Sequence, residues 1–227
     1  MWLMLISGCK EQSEIPASGK FIDNRDKHEY SWVTVGTQTW MAENLAWLPE
    51  VSPPDIGSTS DPVFYVMGYM GTDANEARKT EGYSSYGVFY NWLAAMNRAD
   101  TTLGSIYTRG ICPEKWHLPS DQEWDILINF LGGEFNAGKK MKSTKGWESF
   151  EGVSGRGDNS SGFDGLPAGS RINAGKFYDT GYNALFWTAT GSGEYSAWYR
   201  HLIYSHEGVN RYFLSKSWGL SVRCVKD

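Results

Sequence analysis

The sequence predicts a single α+β domain made of short strands, about two helices and long irregular loops. Two observations carry the prediction. The chain has 227 residues, with 11 Trp, 13 Tyr and 10 Phe beside 26 Gly, so it is rich in both large rings and turn formers. Only one segment has a complete helix signature, and no repeat or second linker interrupts the chain after residue 20. A chain of this length buries most of its apolar surface without metals or cross-links, and its aromatic content excludes disorder for the bulk of it. Lys plus Arg is 21 against 26 Asp plus Glu, a formal charge of −5. That charge argues against a nucleic-acid partner, which needs a basic surface to displace counterions. No apolar run reaches the roughly 18 residues that span a bilayer.

The chain opens on Met-Trp-Leu-Met-Leu-Ile, followed by Ser7-Gly8-Cys9 and the polar run Lys10-Glu11-Gln12-Ser13-Glu14. This start is too short for a span and lacks the basic beginning of a full secretory signal. Ile6-Ser7-Gly8-Cys9 resembles a bacterial lipobox, where small residues admit the peptidase and the cysteine is lipidated. Residues 1–20 therefore read as a truncated lipoprotein signal, with Cys9 as the lipidation site, and a flexible tether. Acyl chains at Cys9 would hold the domain on a membrane without a spanning helix. The expected location is the bacterial outer membrane or cell surface. With Cys9 acylated, Cys112 and Cys224 remain, an even number in an oxidising compartment. A disulfide between them is expected, and two buried thiols are the alternative.

From residue 21 the elements follow in order. Residues 28–35 alternate Tyr30 and Trp32 against Val33 and Val35. Gly36-Thr37 turns the chain before Gln38-Thr39-Trp40-Met41, so a β-hairpin is predicted. Residues 49–62 are loop. Phe89, Trp92, Leu93 and Met96 fall at i, i+3, i+4 and i+7, one face of a short helix. A second helix starts after Ser120, where Ser120-Asp121-Gln122-Glu123 forms a capping box and Trp124, Leu127, Ile128 and Leu131 form the buried stripe. Gly132-Gly133 ends it. Glycine then recurs so often to residue 193 that the middle reads as mostly irregular. Leu220-Ser221-Val222-Arg223-Cys224-Val225 alternates as a strand, with Leu220, Val222 and Cys224 facing in.

Several strings then point the same way: Val35-Gly36-Thr37-Gln38-Thr39-Trp40-Met41-Ala42-Glu43-Asn44-Leu45, Tyr86-Gly87, Tyr90-Asn91-Trp92 and Ala94-Ala95-Met96-Asn97. Cys112-Pro113, Trp116-His117-Leu118-Pro119-Ser120-Asp121 with Glu123-Trp124, Gly162-Phe163, Leu166-Pro167-Ala168-Gly169 and Phe186-Trp187-Thr188 follow, and Gly219-Leu220-Ser221-Val222-Arg223-Cys224-Val225-Lys226-Asp227 closes the series. In this order they resemble the Fibrobacter succinogenes major paralogous domain over residues 21–227. That resemblance implies an exported, surface-associated and lipoprotein-rich family without an established enzymatic activity. The segment from Trp116 to Trp124 also resembles a signature of formylglycine-generating-enzyme domains. This second likeness implies a C-type-lectin-like fold in which the opening hairpin and last strand lie together above the Ser120 helix.

The residues that could carry chemistry have structural readings of their own. Formylglycine-generating enzymes place a copper-binding cysteine pair near the C-terminus, and only Cys224 stands there. A Cys112–His117 nucleophilic dyad is conceivable, but the resemblance puts His117 at the place of a structural Arg. Asp121 and Glu123 serve the first helical turn and its dipole. No metal or other cofactor is expected, apart from a structural calcium at Asp158, Asn159 and Asp164, whose spacing departs from a known calcium loop. Arg156-Gly157-Asp158 spells an adhesion tripeptide of a kind that three residues produce by chance.

The strongest functional signal is residues 194–218. Tyr195, Tyr199, His201, Tyr204, His206, Asn210, Arg211 and Tyr212 are the expected ligand-binding residues, because Tyr, His, Asn and Arg make contact surfaces with large area and polar tips. Tyr199, His201, Tyr204, His206, Arg211 and Tyr212 are expected on one exposed patch, with truncation of Tyr199 and Tyr212 leaving stability intact. The functional expectation is a lipid-anchored, non-enzymatic binding module for a glycan or surface protein. The alternatives are an enzyme on the same fold acting on envelope or dietary polymers, or a structural component of a fimbrial or surface assembly.

Overall fold

The computed structural model describes residues 17–97 and 108–227. Cys9, the expected lipidation site, lies outside them. The first elements are β1 (Ser18–Ile22), β2 (Glu29–Val35) and β3 (Gln38–Met41). β1 pairs antiparallel with β2, so residues 18–20 belong to a sheet where the sequence predicts tether. The predicted hairpin is β2–β3, turned at Gly36 with φ +60°, a conformation that glycine adopts without strain.

β4 (Phe64–Tyr65), α1 (Ala74–Ala77), α2 (Glu81–Tyr86), β5 (Phe89–Tyr90) and α3 (Trp92–Ala95) follow. The helix predicted from Phe89 is shortened, because the Asn91 side chain accepts from the Ala94 N–H and starts the helix there. Phe89 and Tyr90 instead pair with β4. β6 (Trp116–His117) precedes α4 (Asp121–Phe130), which carries the predicted capping box at Ser120 and Glu123. Its Trp124, Leu127, Ile128 and Leu131 are buried. Gly133 N–H donates to the Ile128 carbonyl at 2.9 Å and closes the helix.

The middle is more regular than predicted. It contains α5 (Ala137–Met141), β7 (Ser149–Phe150), β8 (Val153–Ser154), β9 (Ser170–Ile172), β10 (Lys176–Tyr178) and the nine-residue β11 (Asn183–Gly191). Residues 184–188 of β11 are buried on both faces, so no alternation marks the strand. β12 (Ser196–Ile203), β13 (Val209–Ser215) and β14 (Val225–Lys226) complete the chain. The whole is mixed: mostly strands in small sheets, with five short helices among the described residues where about two are predicted.

One sheet has the order β1-β2-β3-β14-β6 and another the order β11-β12-β13; β4–β5, β7–β8 and β9–β10 are two-stranded. The C-terminal stretch departs from the predicted strand over residues 220–225. Only β14 is strand, and residues 220–224 thread between the sheets, with Trp187 N–H donating to Ser221 O, Leu45 N–H to Val222 O and Met41 N–H to Cys224 O. Ser221 and Arg223 are consequently as buried as Leu220, Val222 and Cys224. Arg223 donates to Asn44 Oδ1 at 2.9 Å, to Asp164 O at 2.9 Å, to Met41 O at 3.2 Å and to Phe163 O. Cys112 and Cys224 are disulfide-bonded, as expected, with Cα atoms 6.0 Å apart.

Two core clusters meet at the five-stranded sheet. One gathers Tyr30, Met41, Trp92, Trp116, Trp187 and both bonded cysteines. The other packs Val33, Val35 and Trp40 against Trp124 and Leu127 of α4, with Phe163 and Phe186. The opening hairpin and last strand thus lie together over α4.

Candidate functional site

The expected ligand-binding segment forms β12, β13 and their flanking turns. Residues directly opposed in antiparallel strands point to the same face, so the register sorts them. Trp187, Tyr199 and Tyr212 share one face with Leu185, His201 and Asn210; Phe186, Arg200 and Arg211 share the other with Trp198 and Phe213. β12 is central and β13 is an edge.

The Arg face is pinned to α4. Arg200, buried, donates to Asp121 Oδ1 at 2.5 Å and Asp125 Oδ1 at 2.9 Å, while Arg211 Nε donates to Asp121 Oδ2 at 2.6 Å. The Arg211 guanidinium lies 3.3 Å from the centroid of Trp198, and Phe213 meets that ring edge-on at 5.3 Å. Asp121 therefore does more than complement a helix dipole: one buried carboxylate orients two arginines and through them the edge strand.

On the other face Tyr199, His201 and Tyr212 lie within 6.0–6.3 Å of one another, centroid to centroid. Asn183 Nδ2 donates to Asp179 Oδ2 at 2.8 Å, which turns its carbonyl oxygen to His201 Nε2, also at 2.8 Å. Nε2 must then carry the proton. Burial, assisted by His206, pushes the His201 pKa down to about 4, so the ring is neutral. Its Nδ1 is buried without a hydrogen-bond partner among the described residues.

The single exposed patch expected for these residues is divided. Tyr199 is core, only 9% exposed, because β12 is covered on this face by the first cluster; burial raises its pKa to about 12. Arg211 points away from Tyr212, since neighbours in a strand alternate. Tyr204 is half-buried between Tyr182 and Phe150, at 5.0 and 5.6 Å. Tyr195 is exposed in the β11–β12 turn, and His206 is exposed in the turn before β13, accepting from the Gly208 N–H. What remains free is the edge strand itself: Arg211, Tyr212 and Phe213 are consecutive and exposed. Phe213, absent from the expected set, is 60% exposed. Beside them opens a cleft of about 510 Å³ lined by Glu134, Phe135, His206, Asn210 and Tyr212.

The remaining candidates have structural tasks. Cys112 is in the disulfide and is no nucleophile. His117 lies between Glu123 Oε1 and Asp227 Oδ1, both at 2.7 Å. Burial opposes its charge, but the hydrogen bonds to the two carboxylates outweigh that and raise its pKa. His117 thus takes a bridging place suited to a structural cation. In the loop read for calcium, the Asn159 amide donates to Asp164 Oδ1 and the Asp164 N–H to Asn159 Oδ1, so these side chains hold their own backbone. No group of three or more His, Cys, Asp or Glu among the described residues is arranged to hold a metal ion. Gly157 of the Arg-Gly-Asp string donates to Ser143 O and Asp158 N–H to Lys139 O, which pins that loop to the body.

The strings that carry the resemblance lie at the centre of this architecture: β3, the capping box of α4 and the threaded C-terminus around Arg223. Residues 33–226 match the Fibrobacter succinogenes major domain. The chain belongs to that family. No curated protein and no solved structure matches the chain. Within this Fibrobacter succinogenes major domain the matched region begins inside β2, so β1 precedes it. No helix among the described residues is long and apolar enough to cross a membrane.

Proposed function

We propose that this domain is a non-enzymatic binding module, lipid-anchored at the bacterial outer membrane or cell surface, which recognises a glycan or protein ligand through the edge of β13. The observation that carries the reading is the run Arg211-Tyr212-Phe213, exposed on a strand edge beside a cleft and held in place by Asp121. An unpaired strand edge offers main-chain hydrogen bonds, and alternate side chains give specificity. Large rings with a pinned guanidinium are the groups that dominate recognition energies. The C-type-lectin-like fold belongs to the same reading, supported by the pairing of β14 with β3 and β6 above α4.

The test is a glycan-array and surface-protein screen of the purified domain, repeated with Tyr212→Ala combined with Phe213→Ala. Both rings are exposed, so the melting temperature should hold within about 2 °C, while affinity for any ligand found should fall at least about tenfold. Unchanged affinity would place recognition elsewhere. A stable oligomer in sedimentation that these substitutions dissolve would favour the structural-assembly alternative.

A further inference from the structure

A second cleft follows from the register of the five-stranded sheet. Phe21 stands opposite Tyr30, Gly19 opposite Trp32, Trp32 opposite Met41, and Trp116 opposite Lys226. These residues share the face that packs on the first core cluster. Toward β1 the core runs out. Trp116 is buried with Phe21 stacked on it at 4.5 Å, whereas Phe21 and Trp32 are only half-buried. They line a cleft of about 640 Å³, within the range of small-ligand sites, ~300–1,000 Å³.

Trp32 is a platform because its strand neighbour lacks a side chain. A Cβ at residue 19 would sit 2.6 Å from the indole, so glycine there lets the ring lie against the β1 backbone. The rim is basic. Lys20 is committed to Glu29 and Arg25 to Asp23, each at 2.6 Å. Arg109, Lys115 and Lys226 also line the cleft and have no carboxylate partner among the described residues, and Lys226 Nζ lies 6.0 Å from the Trp32 centroid. Glu114 is the one lining carboxylate without an ion-pair partner among the described residues. Among the described residues Arg109 donates only to the Cys112 carbonyl, so three cations without a carboxylate partner face one carboxylate, a local positive field in a chain of net charge −5.

We propose that this cleft binds an acidic saccharide: a uronate ring laid on Trp32, with its carboxylate held by Lys226, Lys115 and Arg109. An inorganic anion would use the rim alone and leave the aromatic floor unexplained. A neutral sugar would use the floor and leave the cations unexplained. A uronate uses both. The cleft shares no lining residue with the one at β13, so the two readings succeed or fail separately.

The test titrates the purified domain with galacturonate, glucuronate and mannuronate trimers, followed by tryptophan fluorescence and calorimetry at two ionic strengths. A neutral galactose trimer and inorganic phosphate are the controls. At least one uronate trimer should bind saturably and more weakly at high salt. Its affinity should fall at least about tenfold in Trp32→Ala and in the Lys115→Ala, Lys226→Ala double variant, and stay unchanged in Tyr212→Ala with Phe213→Ala. Gly19→Ala keeps every charge and ring but displaces the indole, and should weaken binding as Trp32→Ala does; it decides the matter if Trp32→Ala fails to fold. The proposal is overturned if no uronate trimer saturates, if the neutral trimer or phosphate binds equally well, or if the β13 variant alone loses binding.

Discussion

Removing the disulfide should take away at least about a third of the domain's stability, and the size of the effect follows from topology. Cys112 and Cys224 are 112 residues apart. Closing a loop of that length costs the unfolded chain roughly 16 cal/mol/K, or about 4.8 kcal/mol at 25 °C. Both cysteines are fully buried, and deleting each sulfur by substitution with Ala adds about 1 kcal/mol of lost packing. Reduction alone should therefore cost about 5 kcal/mol and the double Ala variant somewhat more, against a typical total of about 5–15 kcal/mol. The assay is guanidinium unfolding of the oxidised, reduced and doubly substituted protein, read by tryptophan fluorescence. If the bond acts by restraining the unfolded chain, its loss should also steepen the denaturant dependence, because the freed chain exposes more surface. A loss below about 1 kcal/mol, or an unchanged slope with the whole effect in a faster unfolding rate, would refute this reasoning and assign the bond's role to native packing.

Leu127→Ala on α4 should destabilise by about 2–5 kcal/mol in the same assay, since its side chain is fully buried against the second cluster. Arg223→Met should cost at least about 3 kcal/mol, because it strands the acceptors on Asn44, Met41, Phe163 and Asp164 even as it relieves a buried charge. Lys142 should make stability rise with pH. Burial lowers its pKa from 10.5 to about 8, so between those values the unfolded chain binds more protons than the folded one. Stability should climb by about 2 kcal/mol from about pH 8 to 10, and Lys142→Met should flatten that slope; above pH 10 buried tyrosines such as Tyr199 act in the opposite sense.

What could be read from the sequence was what local chemistry decides. The Ser120–Glu123 capping box starts α4, Gly132-Gly133 ends it, and Gly36 turns the β2–β3 hairpin. All three depend on residues within a few positions of one another. β11 left no such mark, because burial on both faces erases the alternation that identifies a strand. The C-terminal stretch misled for the related reason: Ser221 and Arg223 look like an outer face, yet each is buried by a different neighbouring element. In the functional segment, residue type was legible and facing was not. Composition marks Arg211 and Tyr212 as contact residues, while only the register shows that they leave the sheet in opposite directions and that Tyr199 belongs to the core. The pairing of Gly19 with Trp32 was equally hidden, since thirteen positions and a loop separate two residues that meet across one strand pair.

The ion-paired cluster around Asp121 ties these levels together. Asp121 is the first residue of α4, and its carboxylate neutralises the buried Arg200 and reaches Arg211 on the free edge, so the helix and the edge strand are joined by charge. Arg200 and Asp121 are shielded from water and bind tightly, but Arg211 is 41% exposed and its share is screened by salt. The scaffold would then stay fixed while the outer arginine alone responds to its surroundings. A partner that covers Trp198 and Phe213 would exclude water from the Arg211–Asp121 contact and strengthen it, because the same pair attracts more strongly at lower dielectric. If β13 binds a partner as proposed, binding would tighten the strand against α4 through Arg211, which a ring at position 211 would not do.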